Sequence, residues 1–569
     1  MRLRQISTWQ TVSRKTDAAV EFVVSMSSFD RRVVFCGRSD KLMLEDDAGA
    51  SVVAFPGLLT DLAGISMTMD PRQNGDSMIE VSSLSFAAEA IAEHLGDGVV
   101  PYSMGAFVVE IALVCDQLSW DDRIVFVSDV RVDPSGIEWT PDGEVSLRLM
   151  DPLATGNVLL PEDTIDISKL PAAWTADFLI DATNGVPFPI AYGDVYRAPP
   201  IRVYDDGGDG AGNDRQPIRR YILAGHVLTG ANATLHRTNS MVRQLQSGVP
   251  DMSDLSKPIQ VSETTDGKLF SWVQTDSGEE DPTATDPATG KNHPLEVFAI
   301  SYEATNGEQA TMGGVIRHII QRWTDLEIDG EMEASLSDLV VAFAATPVSV
   351  FIDGSGADRS TVAELIDQRF RPQFPISVAR YGGKLMIKSL QALFRPPGSG
   401  YYDPTVNLVL GVECHLEGSI RETGNVFNRF EIRFRRSGDE GTWDGPPVLA
   451  LPDSDFECER SRATYGLKPS PTMDLEDVID EVAVAPILDH LRFLYLDPWF
   501  EVDVICPVWM AVLVPIVKCR IWYEEEAMIS DYCRRHRFNL AHDETAMWRD
   551  GFVVGATYAR ESIRLRVIF

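Results

Sequence analysis

Short runs in which apolar and polar residues alternate recur along this chain, and they limit what it can fold into. The strictest run is Asn425–Arg435, where the apolar residues of Phe430–Phe434 occupy every second position and charged residues lie between them. An alternation of period two is typical of a strand with one buried face. Similar runs fill residues 1–150 and 411–569. The chain is therefore predicted to be mainly β, with a sheet-rich region at each end.

The middle of the chain carries helical signals as well. Thr361 followed by Glu364 matches a capping box, and apolar residues at helical spacing come next. Two short apolar runs, Ile376–Tyr381 and Lys384–Lys388, then flank a Gly-Gly pair. A two-residue glycine connection predicts a tight hairpin. This region is predicted to be α/β.

A chain of 569 residues predicts three to five domains. A helix from about Leu475 to Tyr495 is expected to break or kink at Pro486. Composition divides the chain into five predicted regions: a sheet-rich region (residues 1–150), a Pro/Gly-rich connector with extended segments and turns (151–200), a peripheral β-rich segment with flexible acidic loops (201–310), an α/β region (311–410), and a second sheet-rich region with one helix (411–569).

The charge of the chain is strongly negative. Fifty basic residues stand against 85 acidic ones, which gives a formal net charge of −35. Binding to nucleic acid or to an anionic membrane by attraction needs lysine and arginine, so this composition argues against both. Two interpretations remain open: an acidic surface that keeps the protein soluble, or a surface that nucleic acid passes without sticking.

Seven cysteines without any CxxC pair do not form a zinc ribbon or a disulfide framework. Buried free thiols are the expectation, and a site built by Cys506, Cys519 and Cys533 stays open as an alternative.

The amino terminus has no apolar signal core. The uncharged run Val504–Val517 is too short and too proline-rich for a spanning helix.

No catalytic motif stands out, and no catalytic or cofactor-binding residue is predicted. The chain has no HExxH and no GxSxG sequence, and Gly313–Gly314 lacks the lysine of a phosphate loop. Five histidines are each expected to stand alone: His226, His236, His293, His318 and His415. The loop Asp205–Asp214 is either a calcium site or an exposed acidic turn. Metal binding is left open.

The order of several segments resembles the baseplate hub, or tail-tip hub, proteins of tailed bacteriophages. No counterpart is found for residues 200–310. The segments that carry the resemblance are Val145–Asp151, Leu159–Pro161 with Gly185–Gly193, the Thr361 helix with the Tyr381–Leu385 hairpin, Thr423–Phe434, and Asp497–Val502 followed by a terminal hairpin.

The resemblance implies a structural protein of the virion, made in the host cytoplasm and assembled into the tail tip. Family hubs form trimers in which each chain supplies two tail-tube-like β-barrels, here residues 1–150 and 411–569. Three chains then imitate a six-fold ring. The implied partners are further copies of the chain, distal tail or tail-tube proteins, the tape-measure protein, and tip fibre or receptor-binding proteins. Genomic DNA would pass an acidic lumen without specific binding. The resemblance implies no enzyme activity and no cofactor.

Two other classes of function stay open. One is a hub-associated cell-wall hydrolase. The other is a receptor-binding or carbohydrate-binding tail module in residues 201–310. The aromatic residues available there are few, and core positions would account for them: Tyr204, Tyr221, Phe270 and Trp272.

Overall fold

The protein is mainly β, with several sheets and a group of helices in the middle of the chain. This confirms the coarse prediction of a mainly β fold with α+β regions. The computed structural model describes residues 8–9, 11–12, 18–28, 31–59, 66–70, 76–80, 84–95, 107–149, 159–199, 201–206, 218–228, 241–244, 250–253, 259–276, 296–304, 310–324, 326, 328, 330–354, 359–381, 384–390, 406–409, 414–436, 443, 446–508, 510, 518–522, 548–559 and 562–568.

The first region of the chain is almost entirely strand, as its alternating runs predict. Its elements are β1 (Val20–Ser28), β2 (Arg31–Cys36), β3 (Leu42–Glu45), β4 (Ser51–Pro56), β5 (Ser66–Asp70), β6 (Asp76–Glu80), β7 (Leu84–Ala87), helix α1 (Ala88–Leu95), β8 (Val108–Cys115), β9 (Ile124–Trp139) and β10 (Glu144–Leu149). Eight of these strands form one sheet in the order β3-β4-β2-β1-β8-β9-β10-β7. Helix α1 begins only at Ala88, because Phe86 pairs with Val145 as a residue of β7.

None of the sheets closes into a barrel among the residues described above. The eight-stranded sheet comes close, because the residues after β4 form an isolated bridge, Leu58 to Phe86, with β7 at the other end of the sheet. The Leu59 N–H donates to the Ser85 carbonyl at 2.7 Å beside it. This single bridge connects the segment after β4 with β7, where a closed barrel would have a continuous ladder.

The second stretch of strands runs from the connector into the 201–310 segment. These strands are β11 (Ile190–Ala198), β12 (Ile201–Asp205), β13 (Ile218–Ala224), β14 (Met241–Gln244), β15 (Pro250–Ser253), β16 (Gln260–Glu263), β17 (Leu269–Asp276) and β18 (Glu296–Ala304). Four of them form an antiparallel sheet in the order β12-β13-β17-β16.

The connector has more structure than extended segments and turns. Besides β11 it contains three one-turn 3-10 helices: Ile167–Lys169, Ala176–Phe178 and Asp181–Thr183. Its apolar side chains cover one face of the four-stranded sheet, where Trp174 and Phe188 lie buried against Phe270. Burial of these rings explains why a Pro/Gly-rich segment is held in place.

The middle region is helical and then strand-rich. Its elements are α2 (Met312–Trp323), α3 (Gly330–Ala342), β19 (Ser349–Ile352), α4 (Val362–Glu364), a π-helix (Leu365–Phe370), α5 (Arg371–Gln373), β20 (Ile376–Tyr381) and β21 (Lys384–Ser389). The capping box of Thr361 and Glu364 is confirmed. So is the hairpin, in which Tyr381 pairs with Lys384. β19 joins a five-stranded sheet in the order β15-β14-β18-β11-β19.

The last region returns to strand. Its elements are β22 (Val406–Val409), β23 (His415–Thr423), β24 (Phe430–Phe434), β25 (Val448–Ala450), helix α6 (Phe456–Tyr465), β26 (Met473–Leu475), helix α7 (Glu481–Tyr495), β27 (Trp499–Pro507), β28 (Lys518–Trp522), β29 (Trp548–Tyr558) and β30 (Ser562–Ile568). The alternation in β24 and the terminal hairpin of β29 and β30 are confirmed. β24 also pairs with β25 and β26 in a small sheet.

The predicted start of the helix at about Leu475 is wrong. Leu475 belongs to β26, which pairs with β24. Helix α7 begins at Glu481, where the Asp480 side chain caps it by accepting the Val482 N–H. Pro486 lies inside an uninterrupted helix.

Strands from the two ends of the chain share one sheet and one core. The order is β21-β20-β6-β5-β29-β30-β27-β23, with β28 and β22 continuing from β29. Strands β5 and β6 of the first region therefore lie between strands of later regions. Phe126 of β9 packs on Tyr558 of β29 at a ring-centroid distance of 4.4 Å, inside a core built from both ends. The five-fold division of the chain stays a prediction.

No helix in the described residues is long and apolar enough to cross a membrane.

Candidate functional site

One polar group in the described interior is a cluster of two histidines, a tyrosine and a tryptophan. It is built on the connector motif that ends in Tyr192 and Gly193. Tyr192 lies on β11 opposite Val350 of β19 and is fully buried. Gly193 has φ +68°, and a methyl group there would overlap the Val348 carbonyl oxygen. Glycine is therefore required at this position so that β11 can approach the segment before β19.

His226 reaches the cluster from the segment that follows β13. Hydrogen bonds hold this segment: the Gly225 N–H donates to the Pro189 carbonyl at 2.8 Å, and the Ser271 hydroxyl donates to the His226 carbonyl at 2.8 Å. The imidazole of His226 stacks on Tyr192 at a centroid distance of 5.1 Å. Its Nε2 lies 3.3 Å from the Ala191 amide nitrogen, which donates to it.

Helix α2 supplies the other two rings. Its apolar face, including Ile316 and Ile320, is buried in the core of the middle region. On a different face, His318 Nδ1 lies 2.7 Å from the Tyr192 hydroxyl oxygen. Trp323 packs edge-on against both imidazoles, at 5.8 Å from His318 and 6.5 Å from His226.

Burial keeps the cluster neutral. Burial, followed by the neighbouring His318 and Arg322, lowers the pKa of His226 to about 3. Burial and then Arg322 lower the pKa of His318 to about 4. Burial also raises the pKa of Tyr192 well above its ordinary value. All three groups are therefore uncharged at pH 7.

The cluster is not arranged to hold a metal. Both ring nitrogens of His226 already face backbone groups, the Ala191 amide and the Val227 carbonyl. Within the described ranges there is no group of three or more histidine, cysteine, aspartate or glutamate side chains that could hold a metal ion.

The prediction that each histidine stands alone is wrong for two of them. His226 and His318 have ring centroids 6.0 Å apart. They are distant in sequence and share no local pattern, so sequence reasoning had no signal to join them. His415 is exposed on β23. His236 and His293 lie outside the described residues.

The acidic loop Asp205–Asp214 is described only at its start. Asp205 ends β12 and pairs with Arg219, with Nε 3.1 Å from Oδ2. Asp206 is buried and accepts the Ile218 N–H at 2.7 Å. These two carboxylates are thus engaged by protein donors. The rest of the loop lies outside the described residues, and calcium binding there stays untested.

The cysteine alternative is also described incompletely. Cys506 on β27 and Cys519 on β28 are buried in the core shared by both ends of the chain, and neither belongs to a disulfide in the described part of the chain. Cys533 lies outside the described residues.

The aromatic residues of the 201–310 segment occupy core positions. Tyr204, Tyr221, Phe270 and Trp272 are all buried. The Arg220 guanidinium lies over the Tyr204 ring at 4.2 Å, so a side chain of the protein itself already stacks on this ring. These rings are not placed to stack on a sugar at the surface.

The terminal sheet carries a ladder of opposite charges on its outward face. Arg566 Nε lies 3.2 Å from Asp503, and Arg421 Nη2 lies 3.0 Å from Glu501. Arg564 pairs with Glu417. Three arginines thus match three carboxylates, so this face is locally neutral although the whole chain is acidic.

No family model matches this chain, and no curated protein matches it either.

Proposed function

We propose that this chain is a structural hub of a phage tail tip or baseplate. Three copies form a ring that joins the six-fold tail tube to the tip. In this proposal residues 1–150 and 411–569 supply two tail-tube-like units per chain. Three chains then supply six units, which adapts a three-fold assembly to a six-fold one.

The observation that carries the proposal is the shared core of the two ends of the chain. The eight-stranded sheet and the strands β27, β29 and β30 pack side by side, with Phe126 against Tyr558. Two sheet-rich units from one chain are thereby fixed next to each other. Such a fixed pair is what a ring with two units per chain requires.

The charge of the chain supports a role in passing DNA. A net charge of −35 repels phosphates and leaves few cationic contact points. The locally neutral ladder on β23, β27 and β30 means that the excess negative charge lies on other surfaces. In the assembled tip, the partners would be tail-tube or distal tail proteins, the tape-measure protein and tip fibre or receptor-binding proteins. No catalysis and no cofactor belong to this proposal.

Native mass spectrometry of the purified chain, followed by electron microscopy, tests the proposal. The expected result is a mass of three chains and a three-fold ring with a central channel. A chain that stays monomeric at every concentration would contradict it. Hydrolysis of peptidoglycan, or glycan binding by the same preparation, would support the hydrolase or the carbohydrate-binding alternative instead.

A further inference from the structure

Three separate elements of the fold meet at the histidine cluster. Tyr192 belongs to the five-stranded sheet, His226 follows β13 of the four-stranded sheet, and His318 belongs to helix α2. The contact between Tyr192 and His226 therefore fastens the four-stranded sheet to β11. The hydrogen bond between Tyr192 and His318 fastens β11 to α2.

The hydrogen bonds of His226 fit only the neutral ring. Nε2 accepts the Ala191 N–H, so Nε2 carries no proton, and Nδ1 donates to the Val227 carbonyl at 3.3 Å. A proton added at Nε2 would point an N–H at the Ala191 N–H and would leave that buried amide without its acceptor. Loss of a buried hydrogen bond combined with a buried charge opposes the closed arrangement.

The charged and titratable surroundings also oppose protonation. From α2, His318 and Arg322 face His226, and from β11 the titratable neighbour is Tyr192, which is neutral. No carboxylate in the described residues hydrogen-bonds to either imidazole or forms an ion pair with it. A positive charge on one ring would thus meet Arg322 and the second imidazole, and no carboxylate among the described residues is bonded to either ring to balance it.

We propose that the Tyr192–His226–His318 cluster is an acid-operated joint that releases the four-stranded sheet from β11 and α2 when the two imidazoles become protonated. The open form exposes both rings, so they bind protons with ordinary histidine affinity, whereas the closed form excludes them. Acid therefore favours the open form. This proposal does not depend on the hub proposal, because it concerns contacts within one chain.

Hydrogen exchange of the Ala191 amide on β11, which donates to His226 Nε2, tests the joint once it is corrected for the intrinsic pH dependence of exchange. At pH 4.5 each histidine with an open-state pKa near 6.5 multiplies the open population by roughly sixty- to eightyfold relative to pH 7. The wild type should therefore gain roughly three to four decades of opening. His226→Gln keeps an acceptor for Ala191 without titrating, and should retain only the single contribution of His318. The double variant with His318→Gln should lose the acid response of β11.

The control is His490→Leu, which removes another buried histidine, on α7, and should leave the β11 response unchanged. Unchanged protection of β11 in the wild type between pH 7 and 4.5 would overturn the proposal. Simultaneous loss of protection in β1 and β8 would overturn it as well, since that would be global unfolding. If the variants do not fold at pH 7, hydrogen exchange of the wild type as a function of pH tests the proposal alone. A joint that two histidines open requires a steep increase in local exchange as pH falls. A contact that does not open shows no such increase.

Discussion

Asp477 is fully buried and forms a two-pronged ion pair with Arg369, which lies 108 residues earlier in the chain. Arg369 Nη2 lies 2.6 Å from Oδ1, and Nε lies 3.0 Å from Oδ2. Gln373, one turn further along, donates to the same carboxylate at 2.8 Å and accepts the Asp477 amide. The π-helix that carries Arg369 is thus fixed to the segment before α7.

Replacing Asp477 by alanine should destabilise the protein by about 3–5 kcal/mol. The change removes the carboxylate to which Arg369 and the Gln373 amide donate, and the loss of the negative charge that balances the guanidinium is costly in this largely buried site. Urea-induced unfolding followed by circular dichroism measures the effect.

Asp474→Ala is the matched control for Asp477→Ala. Asp474 pairs with Arg433 at the surface, with both side chains 40% exposed, and exposed ion pairs contribute little. A much smaller change is therefore expected. Equal effects of the two substitutions would show that burial of the Asp477 pair is not what matters.

Gly193→Ala should destabilise the fold far more than Gly185→Ala, although both glycines belong to the same connector motif and both have positive φ. At Gly185 an added methyl group meets open space, so only the backbone strain of about 1–2 kcal/mol applies. At Gly193 it also overlaps the Val348 carbonyl and separates β11 from its neighbour. Thermal unfolding of both variants compares them, and a similar loss of melting temperature in the two would be inconsistent with the close approach.

Leu565→Asp should prevent folding of the terminal sheet. Leu565 is fully buried in the core shared by both ends of the chain, and an unpaired carboxylate there costs several kcal/mol, a large fraction of the stability of a domain. Its neighbour Arg564 faces outward, so Arg564→Ser is the control and should fold normally. Wild-type melting behaviour of Leu565→Asp would show that β30 does not bury this face.

His490 should make stability fall in acid. Burial lowers its pKa to about 3, whereas in the unfolded chain it is near 6.5. The unfolded chain therefore takes up the proton first, so the stability present above pH 6.5 is lost as pH falls from 6.5 toward 3. The loss is about 1.4 kcal/mol per pH unit. In His490→Leu the slope of unfolding free energy against pH should decrease by that amount, and an unaltered slope would mean that His490 is not the group that titrates.

Deleting residues 207–214 should leave folding and assembly intact, whereas a deletion that begins at Asp205 should not. Asp205 and Asp206 hold Arg219 and the Ile218 amide at the edge of the four-stranded sheet. Native mass spectrometry and circular dichroism distinguish the two deletions. Loss of assembly after the shorter deletion would show that the loop is not peripheral.

Strands were predictable where the information is local, and contacts between distant segments were not. The alternation of Phe430–Phe434 and the inward side chains of β30 follow from a period of two. Successive side chains of any strand point to opposite faces of its sheet, whichever strands it pairs with. The capping box at Thr361 is equally local. The pairing of Asp477 with Arg369 and the meeting of His226 with His318 depend on which segments the fold brings together. Single charged residues and lone histidines carry no periodic signal for that.

The start of α7 illustrates the same limit at short range. Leu475 fits an apolar helical pattern, yet β24 offers it a strand partner, and pairing with that strand overrides local preference. Only Asp480, which caps the helix, marks the real beginning.

The position of β5 and β6 between β20 and β29 has a consequence for synthesis on the ribosome. Synthesis from the amino terminus produces these two strands long before β29. The edge of β5 that pairs with β29 therefore has no strand partner while several hundred residues are added. The ten-stranded sheet can be completed only after β30 has emerged. We therefore expect folding to be late and slow, governed by the meeting of segments far apart in sequence, with nascent chains that need protection from pairing with one another.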